Sequence, residues 1–166
     1  MRVKLIITLL VLVVTPSAFA QSTQKSFAIL TGLAGEWRGN DTLGHRVRIT
    51  FRVVSGGSAL LSELVEAEQQ EDMITMFHLD GARLLLTHYC SAGNQSRMEG
   101  TASADGKTIT FSLIDVTNLK ADQSGHMQRL VIRPLERDYH TEEWTSVENG
   151  KETTVTFHMR RMKGRV

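Results

Sequence analysis

The sequence predicts an all-β protein, a single antiparallel up-and-down β-barrel of about ten strands with one short helix ahead of the first strand. Three observations carry that prediction: period-two alternation of apolar and polar residues, turn dipeptides at short intervals, and only one segment with a helical apolar pattern. Alternation is clearest in His45 to Val54, where Val47, Ile49, Phe51 and Val53 alternate with Arg46, Arg48, Thr50 and Arg52. It recurs in Lys107 to Ile114, with Ile109, Phe111 and Leu113 opposite Thr108, Thr110 and Ser112. It appears again in Thr153 to Arg160, with Val155, Phe157 and Met159 opposite Thr154, Thr156 and His158. One dry face and one wet face is the signature of an antiparallel sheet packed on one side.

Taken in order, the elements begin with a helix over Ser26 to Gly32, with Phe27, Ile29, Leu30 and Leu33 apolar and Ser26 as its expected cap. Ten strands follow: 36–41, 45–54, 59–67, 73–79, 83–89, 95–103, 107–115, 126–134, 138–146 and 151–161. Turn signals separate them at Gly56-Gly57, Asp80-Gly81, Gly93-Asn94, Asp105-Gly106 and Asn149-Gly150. Asp-Gly and Asn-Gly suit two-residue hairpins because both central residues of a type I′ turn need positive φ. Asn118 to Gly125 is polar, has no apolar period and reads as the longest loop. Ten strands in meander order leave two edges unless the sheet closes, and closure removes both. A barrel of eight to ten strands is wide enough to hold a small ligand.

The first twenty residues read as a cleavable export signal, and residues 21–166 as the barrel domain. Arg2 and Lys4 give a positive start, Leu5 to Val14 is apolar, Thr15-Pro16-Ser17 breaks the run, and Ala18 and Ala20 place small residues at the cleavage subsites. The apolar run is about half the roughly 20 residues a helix needs to cross a bilayer. The expected location is therefore the periplasm or the exterior, with no transmembrane span after cleavage.

Removing Arg2 and Lys4 from 19 basic residues leaves 17 against 18 acidic ones. A near-neutral domain argues against nucleic acid as a partner, which requires clustered positive charge. Arg46, Arg48 and Arg52 do share a strand face, which reads as a solvated one. Cys90 is the only cysteine, so there is no intrachain disulfide and no thiolate zinc site; burial is its expected state.

Gly35-Glu36-Trp37-Arg38-Gly39 resembles the opening of calycin-type barrels, in which a Gly-x-Trp motif starts the first strand. That resemblance implies a Trp37 that closes the barrel floor and a cavity for a small ligand. Phe77 to Gly81, Leu84 to Cys90 and Gly93 to Gln95 resemble a hairpin of uncharacterised secreted bacterial barrels of this lipocalin- and nitrobindin-like kind. Nitrobindin-like barrels imply a haem ligated by a histidine on the last strand. Here the motif ends in Asn40, and alternation places His158 opposite Val155, Phe157 and Met159, on the wet face. No cofactor is expected.

Candidate ligand-binding residues are His88, Cys90, Glu63, Trp37, Arg97 and Trp144. His88 shares a face with Leu84 and Leu86, and an imidazole on an apolar face needs a partner; Leu85 shares the opposite face with Tyr89, so which of the two faces points inward stays open. Cys90, two residues on, is expected on the same face. Glu63 lies between Leu61 and Val65, with Leu60, Ser62 and Leu64 on the other face, so either orientation puts a polar group inside; Arg97 and Arg129 are its candidate cationic partners. His140, Glu142 and Trp144 share one face of a late strand, either as an exterior cross-strand set or as a polar pocket corner. The six histidines form no His-x-His or His-x-x-x-His pair, and no metal is expected. Neither a Gly-x-Ser-x-Gly elbow nor a phosphate loop is present. The expected function is non-catalytic binding of a small apolar ligand. Its rivals are an acid–base enzyme built on His88 with Glu63 or Glu142, a haem-binding barrel, and an interaction protein with a filled interior.

Overall fold

The computed structural model describes residues 18–66, 72–120 and 125–163. The expected signal segment lies outside them except for Ala18–Ala20. The order is α1 (Ala18–Thr31), β1 (Gly35–Asp41), β2 (Arg46–Val54), β3 (Ala59–Glu66), β4 (Asp72–Asp80), β5 (Arg83–Tyr89), β6 (Gln95–Ala102), β7 (Ile109–Thr117), β8 (His126–Glu136), β9 (Tyr139–Glu148) and β10 (Lys151–Arg161). All ten strands pair antiparallel with their sequence neighbours, and β1 pairs with β10 to close the barrel. The predicted architecture is thus the observed one.

Strand ends differ from the sequence reading by at most two residues, with β5 and β10 matching at both ends, and the helix differs more. It starts at Ala18, not Ser26, because nothing between Pro16 and Ser26 breaks a helix. Ser26 is consequently not a cap: its hydroxyl sits mid-helix and donates to the Ser22 carbonyl at 3.1 Å. At Asn149-Gly150 both residues have positive φ, 51° and 76°, as a type I′ hairpin requires. In the β4–β5 hairpin Asp80 pairs with Arg83, so the two linking residues are Gly81 and Ala82. Only Gly81, at φ 58°, is positive, the type II′ pattern with glycine at the first position.

Alternation sorts most side chains as expected, though Val53, at the end of β2, is exposed rather than inside. Val47, Ile49 and Phe51 of β2, Leu84, Leu86 and His88 of β5, and Phe157 and Met159 of β10 are buried, while Arg46, Arg48, Arg52 and His158 are exposed. β8 departs from it, with Leu130, Val131 and Ile132 buried in succession. At the end covered by α1, Phe27, Leu30 and Leu33 join Trp37, Phe51, Phe77 and Phe111 in the core cluster. The helix packs on β2, β4, β5 and β6, and Thr23 Oγ1 donates to Ala82 O at 2.9 Å.

Trp37 seals this end. It is fully buried, its Nε1 donates to Leu33 O at 2.7 Å, and the Arg161 guanidinium lies 4.2 Å above its ring. At the other end the strands leave space, and the candidate site lies there.

Candidate functional site

Two buried polar groups occupy the barrel interior, and both stand on residues that alternation turns inward. On β5, His88 follows Leu84 and Leu86 on the buried face, a choice the sequence left open because Leu85 stands on the other face with Tyr89. Its register partners are Thr75 on β4 and Ser96 on β6, so three inward polar residues lie side by side across three strands. His88 Nδ1 and Thr75 Oγ1 are 2.9 Å apart and hydrogen-bonded. Among the described residues, no partner meets His88 Nε2, Ser96 Oγ or Asn94 Oδ1. Burial drives the His88 pKa down to about 4, because the charged imidazolium loses its hydration, and the ring is neutral near pH 7.

The second group is on β9. His140, Glu142 and Trp144 face the interior, which settles the open choice in favour of a buried corner over an exterior ladder. Glu142 binds both neighbours: Trp144 Nε1 donates to Oε2 at 3.0 Å, and His140 Nε2 lies 3.2 Å from Oε1. His140 is held edge-on against Trp37, with ring centroids 4.3 Å apart, and against Phe51 at 5.8 Å. The Trp144 ring in turn packs on His88, centroid to centroid 4.6 Å. Glu142 therefore fixes the indole that forms one side of the His88 environment.

Beside these groups a cavity of about 210 Å³ opens at the end of the barrel opposite α1. Its apolar lining includes Leu64, Met73, Met127, Trp144, Val155 and Phe157, with His88 in the wall. Asp41, His45, Glu66 and Ser146 supply the polar part, and the exposed Leu43 marks the mouth. Asp41 is committed locally: Oδ1 accepts from the amides of Leu43 and His45, and Oδ2 lies 2.9 Å from His45 Nδ1. Burial by itself would raise this carboxyl, but the bonds from the His45 ring and the two amides together hold it below the usual carboxylate range.

Of the residues singled out in the sequence, the structure brings His88 and Trp144 together at the cavity. Trp37 is in the sealed half and does not line it. Glu63 points outward, because β3 turns Leu60, Ser62 and Leu64 inside, and the polar group delivered to the interior is Ser62. Arg97 is on the outer wall in an ion pair with Asp115, and Arg129 pairs with Glu143, so neither meets Glu63. Cys90 is only half-buried: β5 ends at Tyr89, and Cys90 starts the turn, with its amide bonded to Asn94 O at 3.1 Å. His158 is on the outside, its Nδ1 2.9 Å from the Tyr139 hydroxyl, which leaves it unable to ligate a haem in the interior. Among the described residues no group of three or more His, Cys, Asp or Glu side chains is placed to hold a metal ion.

Sequence reading missed Thr75, Ser96 and Asp41. The signal for the first two was present as single hydroxyl residues on faces otherwise apolar, beside Phe77 and Met98. Asp41 and Met127 come to the mouth from separate hairpins, and only closure of the barrel makes them neighbours.

No family model matches this sequence, and no curated protein matches it. Among solved structures the barrel is similar to a protein of unknown function from the DUF3598 family of Nostoc punctiforme PCC 73102, at TM-score 0.53 and 13% identity. The match covers 80% of this chain and 49% of the other, so the chain spans about half the length of that protein. The likeness is one of fold.

Proposed function

We propose that this protein is exported to the periplasm or beyond and binds a small apolar molecule in the open-end cavity without transforming it. The observation that carries the reading is the cavity itself: apolar side chains on most of its wall, and a neutral, buried imidazole among them. Pockets that bind small molecules combine such a lining with a few fixed polar groups. A dry cavity of about 150 Å³ suffices for benzene, while drug-sized ligands need roughly 300 Å³ or more. At about 210 Å³ the ligand is the size of a substituted benzene or a short alkyl chain. The closed barrel with Trp37 at its sealed end supports the resemblance to calycin-type barrels, and the sequence of residues 1–20 supports export.

Binding is favoured over acid–base catalysis because the candidate pairs are not assembled. Glu63 is outside, and Glu142 is bonded to His140 and Trp144, with no hydrogen bond to His88. Toluene titrated into the purified protein, followed by ligand-observed NMR, tests the cavity. Saturable binding that Val155→Trp abolishes is the expected result; no binding, or binding indifferent to Val155→Trp, rejects the reading. Export is checked by the mass of the protein recovered from a bacterial periplasmic fraction, which is expected to begin at Gln21.

A further inference from the structure

The outer wall of the barrel treats its arginines in two ways. From β5 to β9 each strand arginine meets a carboxylate on the next strand: Arg83 pairs with Glu99, Arg97 with Asp115, and Arg129 and Arg133 with Glu143. The wall made by β2, β1 and β10 is built differently. Arg38 on β1 is the register partner of Arg48 on β2 and of Arg160 on β10, so three guanidinium side chains stand in one row across three strands. Arg46 and Arg52 share the outer face of β2 with Arg48, and all of these arginines are exposed. Neighbouring strands lie about 5 Å apart, so the row is about 10 Å wide, and Arg46 to Arg52 extends the patch about 20 Å along β2.

Little acid offsets this charge. The described carboxylates on the wall are Glu36, which pairs with Arg38 at 2.8 Å, and Glu63, the register partner of Thr50. Asp41 and Glu66, on β1 and β3, line the cavity on the other side of the sheet. Among the described residues no ion pair reaches Arg46, Arg48, Arg52 or Arg160. Like charges directly opposite one another destabilise a sheet, and arginine cannot shed its proton to relieve the repulsion. Positive charge is thus concentrated on one wall of a chain whose formal net charge is only +1.

We propose that this wall is a docking surface for an anionic polysaccharide, an extended chain whose sulfate or carboxylate groups recur every few ångströms. A planar guanidinium takes such a group through two parallel hydrogen bonds. A surface groove lined by Arg38, Asn40, Arg46 and Arg48 gives the chain a track between β1 and β2, and Asn40 offers a neutral partner to sugar hydroxyls. A bilayer fits less well, because the row exposes no large apolar side chain; the exposed Leu43 and Val53 stand at opposite ends of β2. Single-stranded nucleic acid calls for aromatic faces on which bases stack. The Tyr139 ring on this wall is already covered by Arg160 and its hydroxyl is bonded to His158. The surface lies outside the barrel and is independent of what the cavity holds.

The test titrates the purified full chain into a fluorescein-labelled heparin oligosaccharide and into labelled polygalacturonate, read by fluorescence anisotropy. Saturable binding is expected at about 50 mM NaCl, weakening at least about tenfold by about 200 mM as released counterions are opposed by salt. Arg48→Thr combined with Arg160→Thr, checked for folding by circular dichroism, is expected to weaken binding at least about tenfold. Arg46→Thr combined with Arg52→Thr should act in the same direction, whereas Arg97→Thr on the far wall should stay within about twofold of wild type. No saturable binding to either glycan overturns the proposal, and so does a loss from Arg97→Thr as large as that from the Arg48 and Arg160 pair. Phosphatidylglycerol vesicles or duplex DNA bound more tightly than both glycans at the same salt also overturn it, and assign the wall to that partner instead.

Discussion

The two nitrogens of His88 sit in unlike surroundings: Nδ1 shares a hydrogen bond with Thr75, while Nε2 is buried without a partner. Burial keeps the folded ring neutral down to about pH 4, whereas the unfolded ring takes up a proton near 6.5. Between these values the unfolded chain binds the extra proton, so stability falls as pH falls, and above pH 6.5 the contribution is complete. The difference corresponds to roughly 3 kcal/mol, lost progressively from pH 6.5 to pH 4. Urea denaturation at pH 7 and pH 4.5 should show a steep loss in the wild type and a shallower one in His88→Gln, which has no ring to titrate. Equal slopes for the two proteins would mean that His88 is not the group responsible. Alternation put His88 on one face with Leu84 and Leu86, but Leu85 shares the other face with Tyr89, so only the structure decided that His88 points inward. Glu63 was not legible, because both faces of its strand carry leucines.

Among the elements, the β1–β10 pair closes the barrel, and at Gly39 it leaves no room for a side chain. Gly39 is the register partner of Met159. A Cβ added there would lie 1.8 Å from the His158 carbonyl oxygen and 3.1 Å from Met159 Sδ. The final glycine of Gly35-Glu36-Trp37-Arg38-Gly39 thus has a steric reason, since only a residue without a side chain lets the first and last strands meet. Gly39→Ala is expected to force them apart and cost about 2 kcal/mol or more, the range of overpacked interiors. Its denaturation midpoint relative to wild type is the measurement, and an unchanged midpoint would show that the strands can shift freely. The strand pattern was readable because side-chain period is a local property. β9 was ambiguous because polar residues stand on both its faces, with Tyr139, Thr141 and Glu143 opposite His140, Glu142 and Trp144. Cys90, expected to be buried, is only half-buried because it lies one residue past the end of β5, in the turn.

At the scale of the whole molecule, Arg161 ties three segments that are distant in sequence. Its guanidinium donates to Ala34 O at 2.7 Å, Gly32 O at 2.9 Å and Arg137 O at 3.3 Å, and it covers the Trp37 ring. The link after the helix, the β8–β9 turn and the last strand are thereby locked around the sealed end. A lysine ammonium is a point charge and cannot reproduce that planar fork. Arg161→Lys is therefore expected to cost about 1–2 kcal/mol despite the retained charge. Thermal melting checks this, and a melting temperature within error of wild type would reduce the guanidinium to a surface charge. The same closure leaves the opposite end hollow: α1 fills one mouth with Phe27, Leu30 and Leu33, while the other holds the cavity.

The sequence by itself determined the antiparallel meander and the closed all-β class, because alternation and turn chemistry act over a few neighbouring residues. Only the tertiary structure decided which end is filled and which is open. It also decided that His140 and Glu142 are buried, that Arg97 is outside, and that Asp41, Met127 and Val155 share one cavity. Those facts depend on register around a closed sheet, where residues a hundred positions apart become neighbours, and no local pattern encodes that distance.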